Sequence, residues 1–525
     1  MEKTLPKNWV ETEFKELAAF VIGGDWGKDL EFEFDVDSEI VFCIRGSEIK
    51  NWERDKGSTA SVRKIKSSSL EKRALVEGDI LLEISGGGPD QPVGRTIYID
   101  EEALDVNTDY KKVCTNFLRM VRLYDNLDKK FIKHYLDSFY LSGEILKYQG
   151  GSNNLRNLKY KEFETIKVPL PPLAEQQRIV AKLDELFGHL DNLKTRLNHI
   201  PQILKNFRQA VLTQAVTGKL TEEWRVGKEL ENVDVYLDRI YKSRVNYQIG
   251  VEKLYMDKGL KAPRKPSQSI LDGSYIPISM PKSWKEVRLG DLIVDLTDYH
   301  ANGSYVKLKA NVTLKEEEDY ACMIRSTNFE KNNFKDLLIY IDEKAYNFMH
   351  RSKLFGGEIL ISKIGNAGSV YLMPNLNRPA SLAMNLFALR INELVNNKFL
   401  YYYLISNSGS KLINKYVRGV ATKSIDKISV RSVMVGLPTL KEQTEIVKRL
   451  EHLFAKADAI EAQYQNLKTK IDRLPQAILA KAFKGELVEQ LDTDGDAKEL
   501  LQEIQKMKVS LKPVKKTVKR KTIKS

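Results

Sequence analysis

From residue 179 to 211 the apolar positions are Ile179, Leu183, Leu186, Leu190, Leu193, Leu197, Ile200, Leu204, Phe207 and Val211, in alternating steps of four and three. The alternation returns at Ile446, Leu450, Leu453, Ala457, Ile460, Tyr464, Leu467, Ile471, Leu474 and Ile478. A sustained four–three step averages ~3.5 residues, the period of a helix whose apolar seam packs on another helix as a coiled coil. Between the seam positions lie mainly charged and amide side chains, as a solvated face requires. Each run predicts a helix of roughly 50 Å at ~1.5 Å per residue. Pro201 and Pro475 predict a kink or the start of a second, shorter helix. Gly218 and Gly485 predict the ends.

Both runs belong to a longer repeat. Residues 170–187, LPPLAEQQRIVAKLDELF, answer residues 437–454, LPTLKEQTEIVKRLEHLF. Residues 170–220 slide onto 437–487 without a gap, with 17 of 51 positions identical. Upstream the echo is fainter but continues. Leu5-Pro6-Lys7-Asn8-Trp9 answers Met280-Pro281-Lys282-Ser283-Trp284, and Phe42-Cys43-Ile44-Arg45 answers Cys322-Met323-Ile324-Arg325. Short apolar runs bounded by Gly and Pro, such as GDILLEIS, RTIYID, EILISKIG and SVYLMP, read as strands. One helix is expected around residues 128–142 and its partner around 395–408.

The expected class is therefore α+β, with two globular α/β modules separated by two long helices. The two exposed seams predict an intramolecular antiparallel coiled coil and a pseudo-twofold dumbbell; the other arrangement is pairing of each helix with a second copy of the chain. The segments are a first module at 1–168, a first helix region at 169–220 and a charged connector at 221–279. A second module at 280–435, a second helix region at 436–490 and a polar, then basic, tail at 491–525, expected to be disordered, complete the chain.

Composition narrows the chemistry. At 525 residues the chain exceeds one ordinary core. Its net charge is +13, but the last twenty residues hold nine Lys/Arg and no acid, so the other 505 carry only +4. Charge alone does not make the folded part a nucleic-acid binder. The scattered Cys43, Cys114 and Cys322 support neither a disulfide framework nor a zinc site. No apolar run reaches the ~18 residues of a membrane span, and the N-terminal residues lack a signal-peptide core, so a cytoplasmic location without membrane partners is expected.

Catalytic patterns are missing: there is no P-loop, no GxGxxG after a strand, no GxSxG elbow and no HExxH. Asp494-Gly495-Asp496-Ala497-Lys498 gathers carboxylates and a lysine, but in a polar segment that reads as a solvated loop. The chain reads as a binder with no catalytic residue, metal or cofactor of its own. Candidate contacts lie in paired loops. Gly87 sits in Ser85-Gly86-Gly87-Gly88, and Lys363 and Asn366 in Lys363-Ile364-Gly365-Asn366-Ala367-Gly368; glycines there let a backbone approach a partner. Nearby Arg45, Arg95 and Arg325 suit phosphates or guanine edges. A second loop pair carries Asn154 and Arg156 before the first helix and Lys423 before the second. The same loops also read as ordinary tight turns with surface charge.

Pro171-Pro172-Leu173-Ala174-Glu175-Gln176 opening a heptad helix, with its echo Pro438-Thr439-Leu440-Lys441-Glu442-Gln443, resembles the family-wide regions of type I restriction–modification specificity subunits. The helix endings Gln209–Leu220 and Gln476–Leu487 and the following Thr221-Glu222-Glu223-Trp224-Arg225 fit the same pattern. The resemblance covers roughly residues 5–487. It implies a DNA-addressing subunit without catalysis, each module being a target-recognition domain for one half of a split, asymmetric double-stranded DNA site. It further implies two modification subunits that carry S-adenosylmethionine and methylate adenine. Motor–nuclease restriction subunits would use ATP and Mg to cleave unmodified DNA. The rival expectation is a coiled-coil scaffold whose modules bind proteins.

Overall fold

Apolar runs only two to seven residues long, punctuated by Gly and Pro, fold into short strands, most of which lie in two small sheets per module. The computed structural model describes residues 5–31, 37–88, 91–152, 155–257, 259, 279–336 and 338–510. It divides into two units, residues 1–198 with 465–525, and residues 199–464.

In the first unit, one antiparallel sheet has the order Ala18–Gly23, Leu118–Leu123, Ile80–Glu83, Thr96–Tyr98. A second has the order Ser61–Lys66, Ser38–Ile44, Lys112–Cys114, and its last two strands run parallel with Phe42 opposite Lys112 and Ile44 opposite Cys114. Ile80, Leu81 and Leu82 are all buried, which is why that strand reads as an unbroken apolar run rather than an alternating one. Leu81 joins the core that holds Ile44 and Cys114, while Ile80 and Leu82 join the helix Lys129–Leu141 through Phe131, Ile132 and Leu136.

The second unit repeats this plan. Ile293–Asp298, Leu386–Ile391, Ile359–Ser362 and Val370–Leu372 form the antiparallel sheet. Ile339–Ile341, Ala321–Ile324, Ala380–Leu382 and Lys353–Leu354 form the other, again with one parallel pair, Cys322 opposite Ala380. The helix Asn397–Ile405 stands where Lys129–Leu141 stands in the first unit.

The repeated Glu-Gln is a joint between module and helix. Gln176 donates Nε2 to the Pro171 carbonyl at 2.9 Å and accepts the Asp128 amide at 3.0 Å. Gln443 does the same with Pro438 at 2.8 Å and Asn396 at 2.9 Å. Asp128 and Asn396 are the N-caps of the two module helices. One side-chain amide thus ties the turn before each long helix to the start of the module helix.

The preceding glutamates share a position but not an environment. Glu442 accepts from Thr221 Oγ1 at 2.8 Å and from Arg225 Nη1 at 2.6 Å. Glu175, equally buried, accepts only the Trp9 indole N–H at 2.9 Å, and its other oxygen has no partner. Burial pushes the Glu175 carboxyl above the usual carboxylate range. A raised carboxyl pKa means that the folded chain holds its proton longer than the unfolded chain. Stability is therefore lost as pH rises from the unfolded pKa, ~4.3, through the folded value, and the penalty is constant above it. Glu175→Gln should raise the melting temperature of the first unit by a few degrees at pH 7, with the gain vanishing below about pH 4. Glu442→Gln should do the opposite in the second unit, since it removes a charge-assisted bond worth about 1.5–3 kcal/mol. Thermal scans of both variants across pH check the opposed signs.

The first long helix runs Leu173–Asn198 and restarts as Ile200–Val216 with Pro201 in its first turn. The second is continuous, Leu440–Ala482, with Pro475 inside it. In the first unit Ile179 and Leu183, near the start of one helix, share a core with Leu479 and Ala482 at the end of the other. In the second unit Val211, Leu212 and Ala215 meet Ile446, Val447 and Leu450. Arg208 bonds Asp458 at 2.7 Å and Glu461 at 2.8 Å. Within each unit the pairing is antiparallel, as the seam predicts.

The seam itself is only half buried. Leu183, Leu190, Leu197, Leu204 and Val211, one per heptad, are buried, as are Leu450, Ala457, Tyr464 and Ile471. The intervening Leu186 and Leu453 are half-buried, while Leu193, Ile460 and Leu467 are 45%, 49% and 46% exposed. Those three seam assignments are corrected, as are Phe207 and Leu474, each 38% exposed: in this pair one line of each heptad turns inward and the second lies at the surface.

Two segments read as linker or tail are built into the cores. In the connector, Val233–Asp257 is a helix whose Tyr236 and Ile240 enter the second core. In the tail, Ala497–Ser510 is a helix that buries Ala497, Leu500 and Ile504, and Lys508 bonds Glu16 at 2.6 Å. The disorder expected of 491–525 is thus corrected for 497–510; residues 511–525 lie outside the described residues. The basic composition at the end of the chain obscured the three–four spacing of Ala497, Leu500, Ile504 and Met507. Asp494, read as part of a solvated loop, is held by Arg178 at 2.7 Å, and that guanidinium lowers its carboxyl pKa. Among the described residues no His, Cys, Asp and Glu cluster could hold a metal ion, and no helix is long and apolar enough to cross a membrane.

Candidate nucleic-acid interface

In each module the parallel strand pair ends at one place, and the loops leaving it are laced together by backbone. In the first, the Thr115 amide donates to the Ile44 carbonyl at 2.9 Å, Ile84 to Phe117 at 2.9 Å and Glu83 to Arg95 at 2.9 Å. In the second, Ala383 donates to Ile324 at 2.9 Å, Lys363 to Asn385 at 2.8 Å and Ser362 to Ser369 at 2.9 Å. The frame is the same, bond for bond. C-terminal ends of parallel strands are where open α/β sheets commonly place their ligands, because the diverging loops leave a crevice.

In the first module this crevice is a cleft of about 640 Å³ lined by Trp26, Arg45, Ser47, Glu83, Ser85, Gly86, Gln91, Arg95, Thr115, Asn116 and Phe117. Two sequence candidates therefore meet there, Arg45 and Arg95. Each arrives with a carboxylate. Arg95 forks onto Glu83, Nε to Oε2 at 2.9 Å and Nη2 to Oε1 at 2.5 Å. Arg45 bonds Glu48 Oε1 through Nε at 3.0 Å and the Thr59 carbonyl at 2.9 Å. The carboxylates are buried, Glu83 at 2% and Glu48 at 3% side-chain exposure, and both guanidiniums are held charged by them. Phe117 and Asn116 stand exposed at the rim.

Gly87 and Arg156 are brought together, but as opposed residues in a small sheet of Ser85–Gly87 with Leu155–Leu158 and Gln149–Ser152. Gly87 is buried, and a Cβ there would lie 2.5 Å from the Gln91 carbonyl. Its lack of a side chain serves packing of its own loop rather than approach by a partner, which corrects that reading. Asn154 lies outside the described residues.

In the second module the two candidate loops also meet, through the Gly365 amide on the Lys423 carbonyl at 3.0 Å. Lys363 and Lys427 share Asp298 at 3.4 and 2.7 Å and flank the Phe387 ring. Asn366 is exposed and donates to Glu330 at 3.3 Å, and Lys423 is exposed. Arg325 occupies the place of Arg45, its backbone amide on Asn328 Oδ1 at 2.8 Å as that of Arg45 is on Glu48. The frame pairs Glu83 and Arg95 of one module with Ser362 and Ser369 of the other.

Sequence reasoning missed Glu83, Glu48, Trp26, Asn116 and Phe117, and in the second module Lys427 and Asp298. One signal was present. A carboxylate ending the apolar run Ile80-Leu81-Leu82-Glu83 has to be buried with its strand, so it demands a cation nearby.

A family model described as the type I restriction modification DNA specificity domain matches residues 6–202 and again 281–469. The chain is 28% identical over 492 residues to the type I restriction enzyme EcoKI specificity subunit of Escherichia coli, covering 93% of this chain and 90% of the relative. It is 32% identical over 409 residues to the EcoBI specificity subunit, also of Escherichia coli, covering 77% and 73%. Among solved structures, the HsdS subunit from Thermoanaerobacter tengcongensis shares its fold, with a TM-score of 0.53 at 19% identity over 92% of this chain and 99% of that one.

Proposed function

Because this chain belongs to the family of type I restriction–modification specificity subunits, we propose that it addresses a restriction–modification complex to DNA. Each module reads one half of a bipartite, asymmetric duplex target. The observation that carries this reading is the frame that recurs at the two strand ends with different side chains on it, Glu83 with Arg95 in one module and Ser362 with Ser369 in the other. Two readers built on one frame but lined differently suit two different half-sequences rather than a palindrome. The heptad helices set the interval between half-sites, and their outward apolar line offers helical partners a surface. Two modification subunits supply S-adenosylmethionine and adenine methylation, and restriction subunits supply ATP- and Mg-dependent cleavage, in the cytoplasm. This chain contributes recognition and no catalytic group.

Mapping methylated adenines in cells that carry the chain with its modification subunits tests the reading. The expected result is one gapped, two-part motif, bound by the purified complex far more tightly than scrambled duplex and with a salt dependence of several phosphate contacts. Equal affinity for scrambled duplex, or a palindromic motif, contradicts it.

A further inference from the structure

We propose that Arg95, held by Glu83, reads the O6/N7 edge of a guanine in the half-site taken by the first module; the inference rests on the DNA-recognition reading above.

Three observations on the strand-end cleft carry it. The first is charge. Arg45 and Arg95 each come with a buried carboxylate, Glu48 and Glu83, so these four groups sum to zero. Binding to phosphate draws its energy from unbalanced cations that release counterions. A neutral cleft that still presents directed N–H donors suits a base edge, which carries acceptors but no net charge.

The second is rigidity. Glu83 takes Nε and one hydrogen of Nη2, which fixes the plane of the guanidinium. The end-on pair, Nη1 with the second hydrogen of Nη2, is the pair that matches two adjacent acceptors on a purine. The exposed amide of Gln91 lies over the face of the guanidinium rather than at its end, its oxygen 2.6, 2.8 and 2.9 Å from Nη1, Nη2 and Nε. An exposed side chain of that kind is displaced or recruited by an incoming base at little cost.

The third is the comparison between modules. Ser362 and Ser369 hold the same backbone bond as Glu83 and Arg95, 2.9 Å in both. The frame therefore forms without the ion pair, and the pair is free to serve recognition.

The test uses the full chain assembled with its modification subunits and a library of duplexes randomised across the target. The double variant Glu83→Ser with Arg95→Ser installs the second module's residues and leaves no buried charge alone. It should lose roughly 5- to 150-fold of its preference at one base pair of one half-site. The other positions, the second half-site and the slope of affinity against salt should stay as in the parent. Arg95→Lys keeps the charge beside Glu83 but loses the fork, and should show the same position-specific loss in a chain that still folds, its melting temperature lowered by the one lost bond to Glu83. Full preference retained at every position in both variants overturns the inference, as does uniform weakening with a salt slope smaller by about one, the mark of a phosphate contact. A parent complex with no two-part preference fails earlier and overturns the recognition reading along with it.

Discussion

Leu183→Asp and Leu450→Asp should each abolish tight binding of the two-part target, while Leu467→Asp should leave the fold intact. Leu183 is fully buried among Ile179, Leu479 and Ala482 of the first unit. Leu450 is fully buried with Ile446, Val447 and Val211 of the second. Truncating such a leucine costs about 2–5 kcal/mol from lost transfer energy and residual cavity. A carboxylate in its place adds several kcal/mol more, because nothing there pairs with it. The sum is comparable with the whole stability of a domain, about 5–15 kcal/mol. Each substitution should therefore unfold its own unit, and a target that needs both halves loses its advantage over random DNA when either reader is lost. Leu467 lies on the outward line of the seam, where an aspartate stays in water. Limited proteolysis and thermal melting of the three variants, beside binding assays on the assembled complex, separate these outcomes. Wild-type melting of Leu183→Asp would refute the packing of the first core.

The contrast between Leu183 and Leu467 also marks the limit of what periodicity reveals. The four–three step places both on one seam, and it correctly predicts two long helices and their antiparallel pairing within each unit. Periodicity is a property of one helix, however, and how far a pair rotates about its axes depends on side chains from both. Ala457 facing inward where the first copy has Leu190 is the kind of difference that sets the rotation. The module strands were legible because Gly and Pro bound them, and the Gly-rich loops were legible only as counterparts between the two modules, not as neighbours within one. Their chemistry was less legible. Arg45 and Arg95 were visible as cations, but the sequence separates Arg95 from Glu83 by eleven residues and gives no sign that a backbone bond makes them neighbours. Gly87 suggested an open approach, whereas its strand packs on its own loop. The helix 497–510 was hidden for a different reason, since its apolar stripe is short and adjoins a strongly basic segment.

Gln443→Leu should cost the second unit about 3–5 kcal/mol, although it preserves shape and adds apolar surface. The side-chain amide of Gln443 is fully buried and makes three bonds, to the Pro438 carbonyl, the Asn396 amide and the Tyr236 hydroxyl. Tyr236 keeps a partner in the Leu394 carbonyl, so its loss is partial. The Pro438 carbonyl and the Asn396 amide lose the Gln443 bond at a buried joint, and each such loss costs about 1–3 kcal/mol. Gln176→Leu removes two bonds rather than three and should cost the first unit somewhat less. Amide hydrogen exchange gives the local readout. Protection at Asn396 should collapse in Gln443→Leu and protection at Asp128 in Gln176→Leu, with neither variant affecting the other amide. Unchanged protection at both would mean that the Glu-Gln pair is not the joint. A collapse confined to one amide per variant would explain why the chain carries the pair twice. Each module must be fixed to its own helix, and a polar clip that is satisfied only in one geometry fixes the angle as well as the attachment.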